Sequence, residues 1–129
     1  MASIVSVKTG KNIFKEGDQG SSMYIVLEGE VEIYVIINNQ EVHLASMKGG
    51  DFFGEMALFR EKPRSACARV MKDVRLAVID SRAQLEKFLT DNPLFASKMV
   101  NIMATRLAQT NDLLFQKISE LSAKKMEYK

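Results

Sequence analysis

Two periods run through this chain, and the change falls near Asp80. Ahead of it, apolar and polar positions alternate. Val31, Ile33, Val35 and Ile37 alternate with Glu32, Tyr34 and Ile36, and Val42 and Leu44 alternate with Glu41, His43 and Ala45. A period of two sends successive side chains to opposite faces, which is the mark of a half-buried strand. Asn38-Asn39 between the two segments is a hairpin turn signal. Glu28-Gly29 and Gly49-Gly50 punctuate further turns, and residues 66–70 and 75–79 supply later strands. Gly17, Gly20, Gly29, Gly49 and Gly50 all read as turn glycines. Many short strands separated by turn residues predict an antiparallel barrel or jelly roll over about residues 4–80.

Beyond Asp80 the period becomes helical. Ser81-Arg82-Ala83-Gln84 matches a capping box and opens a short helix over about 81–90. Asn92-Pro93 gives an N-cap followed by proline at the first helical position. No Gly or Pro follows, so one long helix is expected over about 93–124. It carries a heptad, with Val100, Leu107, Leu114 and Leu121 at d and Ala104, Asn111, Ile118 and Lys125 at a. Leucines at strict seven-residue spacing suggest a parallel coiled-coil seam between two copies, with polar Asn111 fixing its register. The competing arrangement packs that stripe on the chain's own barrel.

Composition narrows the class without choosing within it. A chain of 129 residues fits one domain, here residues 1–129. The balance of 18 basic against 16 acidic residues gives no field that would argue for nucleic acid or a membrane surface. The single Cys67 excludes an intramolecular disulfide and reads as a small apolar strand residue. No apolar run approaches the ~20 residues that span a bilayer, and no signal-peptide core opens the chain. The expectation is a soluble, cytoplasmic domain.

Candidate chemistry is concentrated in Phe52-Phe53-Gly54-Glu55-Met56-Ala57-Leu58-Phe59 and in Pro63-Arg64-Ser65-Ala66. Gly54 lets the backbone approach a ligand, and residues 55–59 can form one helical turn with free N–H groups at its start. Pro63 would end that turn and fix the chain before Arg64. Arg64 offers a planar donor fork suited to phosphate oxygens. Glu55 would repel a phosphate unless it reads a neighbouring hydroxyl. A ligand with one phosphate charge and an adjacent hydroxyl satisfies both side chains, and a cyclic nucleotide is such a ligand.

Residues 53–66 resemble the phosphate-binding cassette of the cyclic nucleotide-binding domain family, whose members include cAMP-receptor-like and kinase-regulatory-subunit-like sensors. In that pattern Phe-Gly-Glu-aliphatic-Ala-Leu is followed by Pro-Arg-x-Ala, and every element is present. The similarity continues upstream through Ile13-Phe14-Lys15-Glu16-Gly17-Asp18 and Met23-Tyr24-Ile25-Val26-Leu27-Glu28-Gly29-Glu30-Val31. It implies a mainly β fold: an antiparallel β-roll or jelly roll (double-stranded β-helix), then a short helix and a long C-terminal helix. It also implies that Glu55 takes the ribose hydroxyl, Arg64 the phosphate, and Ala66 the ligand through its backbone N–H. Phe53, Gly54, Met56 and Ala57 complete the cassette, while Ser65 either donates to the ligand or faces solvent. Met56 and Leu58 otherwise read as core. Thr110 and Asn111 fall where the resemblance places two adenine-reading hydroxyl residues. Asn111 departs from that pattern and serves either the base or the seam.

The implied ligand is cAMP, alternatively cGMP, with no cofactor and no metal. The resemblance also favours a homodimer through the long helix, and a helix that moves with ligand binding. The lone His43, on a strand and facing solvent, cannot build a cupin-type metal site or a catalytic triad. There is no phosphate loop with its lysine. A non-enzymatic sensor is therefore expected, with no nucleic acid or membrane contacted by this chain, which has no room for a DNA-binding domain after the helix. An oligomerisation module with a degenerate pocket, and the sensor half of a transcription regulator, are the alternative readings.

Overall fold

The computed structural model describes the backbone of residues 3–127 and the side chains of residues 3–122. Along the chain come β1 (Ser3–Val7), β2 (Asn12–Phe14), β3 (Met23–Ile37), β4 (Gln40–Lys48), β5 (Phe52–Phe53), α1 (Glu55–Arg60), β6 (Cys67–Ile79), α2 (Arg82–Asp91) and α3 (Pro93–Glu127), so that one short helix interrupts the strands and two follow them. All strand pairs are antiparallel, in the order β1-β6-β3-β4, with β2 also on β6 and β5 also on β3. The expected mainly β class, followed by a short and a long helix, is what the chain adopts. By compactness it falls into two units, one reaching to Asn92 and one beginning at Pro93.

The strands are fewer and longer than the turn signals suggest. Gly29 was expected to mark a turn, yet it lies inside the 15-residue β3 at φ +94°. Pairing of β3 with β6 shifts register on both sides of it. The positive φ bends the strand, so one continuous ribbon curls around the core in place of the expected turn. Residues 66–70 and 75–79 likewise merge, as β6. Met23, Ile25, Val26, Val31, Phe52, Val70, Val74, Leu76 and Ile79 are fully or almost fully enclosed by this curl.

Alternation in the β3–β4 hairpin is altered by one extra residue. Ile33 pairs with Ala45 and Tyr34 with His43, which leaves Leu44 as a bulge. Beyond it the faces of β4 exchange, so that Met47 packs on the core while Val42 and Leu44 stay exposed. The turn itself is as expected, with Asn38 and Asn39 both in the left-handed region at φ 52° and 65°, the geometry of a type I′ hairpin.

Tyr34 was placed among the polar set and yet is only 5% exposed. The Arg69 guanidinium covers its ring at 4.4 Å, and Asn12 donates to its hydroxyl at 3.0 Å. Arg69 is held in turn by Glu41 and Glu32, each at 2.7 Å, and His43 meets the other Glu32 oxygen at 2.9 Å. The hydrogen bonds from His43 and Arg69 hold the Glu32 carboxyl below the usual glutamate value.

Helix α2 opens on Ser81, whose hydroxyl accepts from the Gln84 N–H at 3.2 Å. The Gln84 side chain reaches one residue further back than a capping box requires, accepting from the Asp80 N–H at 2.8 Å. Helix α3 is described by itself. Its d residues Val100, Leu107, Leu114 and Leu121 are 67, 62, 55 and 61% exposed. Asn111 is also exposed, and the Lys125 side chain lies outside the described residues.

Two outcomes follow from these contacts. A Cβ at Gly29 would sit 2.2 Å from the Asp73 carbonyl oxygen and 2.7 Å from the Val74 Cα, and φ there is positive. Gly29→Ala is therefore expected to cost more than ~2 kcal/mol, read by urea denaturation. For Glu32, the depressed folded pKa adds stability that is present above the ordinary value of 4.5 and lost as pH falls through the folded value. Glu32→Gln should lower stability at pH 7 and flatten the acid limb of a stability–pH curve. A variant with an unaltered acid limb would contradict this.

Candidate functional site

The segment joining β5 to β6 begins with Gly54 at φ +81°, a conformation that glycine adopts without strain. From there the chain makes the six residues of α1. The helix ends before Pro63 can act, because Glu61 turns left-handed at φ 53° and returns its N–H to the Ala57 carbonyl at 3.2 Å. Ala57 and Leu58 are buried and Met56 is 53% exposed, so of the two expected core residues only Leu58 is one. Phe53 is 3% exposed and stacks on Tyr24 at 5.3 Å, which leaves its side chain in the core and only its backbone near the cassette. Glu55 is half-buried at the first position of α1, Ser65 is exposed and Ala66 is half-buried.

Arg64 is only 7% exposed. Its backbone is clamped on both sides by the β2–β3 loop: the Gly17 N–H donates to the Arg64 carbonyl at 2.7 Å, and the Arg64 N–H donates to the Asp18 carbonyl at 2.9 Å. That loop is itself a closed turn, with the Asp18 carboxylate accepting from the Lys15 N–H at 2.9 Å and Gly17 at φ +89°. The Glu16-Gly17-Asp18 stretch thus fixes where Arg64 leaves the chain.

The guanidinium lies over the Phe14 ring at 4.2 Å and within 5.7 Å of the Tyr24 ring centre. It donates to two neutral acceptors, the Ser22 carbonyl at 2.8 Å and the Gly54 carbonyl at 3.3 Å. Among the described residues, no carboxylate pairs with it. Burial accordingly pulls its pKa below the ordinary arginine value, and Tyr24 and Asp18 partly restore it. An arginine stays charged at neutral pH even so. Carbonyl dipoles and ring faces support such a cation without neutralising it. They occupy two of its five N–H donors, which leaves it chemically suited to an anion.

Gly54, Glu55, Arg64, Ser65 and Ala66 all lie in the segment joining β5 to β6, and what surrounds the guanidinium was not visible in the sequence. Gly20 was read as a turn glycine, whereas a Cβ there would stand 2.9 Å from Arg64 Nη2. Gly54 is similar, with a Cβ meeting Arg64 Nη1 at 2.9 Å and the Ser22 carbonyl oxygen at 3.1 Å. Both glycines make room for the arginine. Phe14 and Tyr24 were visible only as aromatic residues in strands; an aromatic residue just before the Glu-Gly-Asp turn was the available signal. Thr110 and Asn111 lie on α3, in the second unit, and the Thr110 hydroxyl donates to the Arg106 carbonyl of its own helix at 2.9 Å.

The fold is a roll of antiparallel strands with a short helix and an enclosed arginine between β5 and β6. The chain belongs to the cyclic nucleotide-binding domain family, whose model matches residues 4–92. It is 30% identical over 127 residues to a CRP-like cAMP-activated global transcriptional regulator of Mycobacterium tuberculosis, covering 95% of this chain and 56% of that protein. Among solved structures it is similar to the catabolite activator protein of Thermus thermophilus, with TM-score 0.73 and 32% identity over 92% of this chain and 55% of that one. The EAL enzyme Bd1971 in its cAMP-bound form aligns with TM-score 0.61 and 34% identity, over 92% of this chain and 32% of that one. Its cGMP-bound form aligns with TM-score 0.62 and 32% identity, over 91% and 31%. The chain spans about half the length of the curated regulator that it matches.

Proposed function

We propose that this chain is a non-enzymatic cyclic nucleotide sensor whose ligand is cAMP. The observation that carries the reading is the Arg64 guanidinium, enclosed in the cassette, hydrogen-bonded to the Ser22 and Gly54 carbonyls and ion-paired with no carboxylate among the described residues. A cyclic phosphate brings the single negative charge that this cation lacks, and a charge-assisted bond in a partly dehydrated site is roughly twice as strong as a neutral one. Glu55 takes the ribose 2′-OH, which explains a carboxylate nine residues from the arginine. Gly54, Met56, Ala57, Ser65 and Ala66, with the backbone of Phe53, form the rest of the cradle. The similarity to a cAMP-activated regulator and to a cAMP-bound enzyme supports the choice of cAMP. The similarity to that enzyme's cGMP-bound form, and the Ser65 hydroxyl, favour cGMP as the second reading.

The output runs through α3. Its exposed Leu107, Leu114 and Leu121 form the seam of a homodimer, and binding at the cassette changes how α3 is held. Coupling of this kind is typically about 1–3 kcal/mol. Thr110 and Asn111 read the base, for which Asn111→Ala is the test: a loss of preference between cAMP and cGMP supports that role.

Arg64→Ala should weaken cAMP binding by about 2–5 kcal/mol, or roughly 30- to several-thousand-fold, in calorimetry. Wild-type affinity in that variant would remove the cassette from the account. The wild type should also prefer cAMP over its 2′-deoxy analogue, and Glu55→Gln should narrow the difference.

Leu114→Ala with Leu121→Ala should leave the roll folded and shift sedimentation from dimer to monomer. A wild type that sediments as a monomer at high concentration would overturn the seam.

A further inference from the structure

Ser22 faces two ways. Its carbonyl accepts from Arg64 Nη2 at 2.8 Å, and its hydroxyl donates to the Asp80 carboxylate in a short hydrogen bond. Asp80 stands at the junction of β6 and α2, with its own N–H taken by the Gln84 side chain at 2.8 Å. Two residues on, Arg82 reaches back from the first position of α2 and donates to the Phe59 carbonyl, in the last turn of α1, at 3.1 Å. The same guanidinium lies 5.7 Å from the Phe59 ring centre. Residues 80–84 therefore meet the cassette directly at Phe59 and, through Ser22, reach its arginine.

We propose that Asp80 is a positioning residue for the Arg64 guanidinium, acting through Ser22, and that this link ties the start of α2 to the occupancy of the cassette. The proposal rests on the cyclic nucleotide reading of the site. A serine hydroxyl free to rotate leaves its peptide plane loosely held; one committed to a carboxylate fixes it, and with it the aim of the carbonyl. That carbonyl is the shorter of the two bonds to the guanidinium. An arginine pre-aimed in this way loses less freedom when an anion arrives, so the link strengthens binding. By linkage, an anion that tightens Arg64 also steadies Ser22, Asp80 and the first turn of α2.

The link can be cut without touching the helix cap, because Gln84 takes only the Asp80 backbone N–H and the cap hydroxyl belongs to Ser81. Ser22→Ala and Asp80→Ala should each weaken cAMP binding about tenfold in calorimetry, the scale of one hydrogen bond to a charged group. The double variant should bind no more weakly than either single one, since both remove the same link. Asp80→Asn keeps an acceptor for the hydroxyl and should recover most of the loss. Hydrogen exchange supplies an independent reading: saturating cAMP should slow exchange of the amides in the first turn of α2 in the wild type, and not in Asp80→Ala. Additive losses, or wild-type affinity in both single variants, would overturn the link. So would α2 amides that ignore cAMP in a wild type that binds it. A wild type that binds neither cAMP nor cGMP would overturn the sensor reading instead.

Discussion

One buried cation organises this molecule. Moving a guanidinium out of water costs several kcal/mol even after relaxation, and no carboxylate among the described residues forms an ion pair with Arg64. Instead the roll spends two carbonyl oxygens, two aromatic rings and two glycines on holding it. Hydrogen bonds to a charged group contribute about 1.5–3 kcal/mol each, and a partly dehydrated cation–π contact up to about 2. These sums are comparable with the desolvation cost, so the fold can hold this cation without a carboxylate ion pair.

The contrast with Arg69 makes the point within the same sheet. Arg69 is gripped by Glu41 and Glu32, and those carboxylates hold its pKa above the ordinary arginine value. Its charge is already answered, and its work is to cover Tyr34 and pin β4 to β6. Arg64 and Arg69 lie five residues apart in the chain with opposite pKa directions, one set by burial and the other by partners. Only the second is ion-paired.

How much of this the sequence could show follows from the range of the interactions. The helices were legible because caps and proline act within four residues, and both helix starts fall where Ser81 and Pro93 place them. The cassette was legible because its spacing is itself local. What escaped depends on contacts between distant residues. Gly29 reads as a turn until β6 is known to press on it, and Gly20 reads as a turn until the arginine 44 positions later lies against it. The Leu44 bulge escaped because alternation cannot reveal one added residue in a strand whose outer half is exposed. Tyr34 escaped for a related reason, since its cover is an arginine from another strand.

The pairing of β1 with β6, from Ser3 against Val78 to Val7 against Val74, sets an order on how the molecule can be made. The first strand has no partner until the last has emerged from the ribosome, roughly seventy residues later. Until then the enclosed apolar face of β3 is without half of its cover. Such distant pairings fold slowly, because loop closure must be met before contacts reward it. The arginine-bearing segment lies inside that interval, and its backbone clamp on Gly17 and Asp18 closes a shorter loop within it. A nascent chain that has made Arg64 but not β6 therefore still lacks the strand that pairs with both β1 and β3.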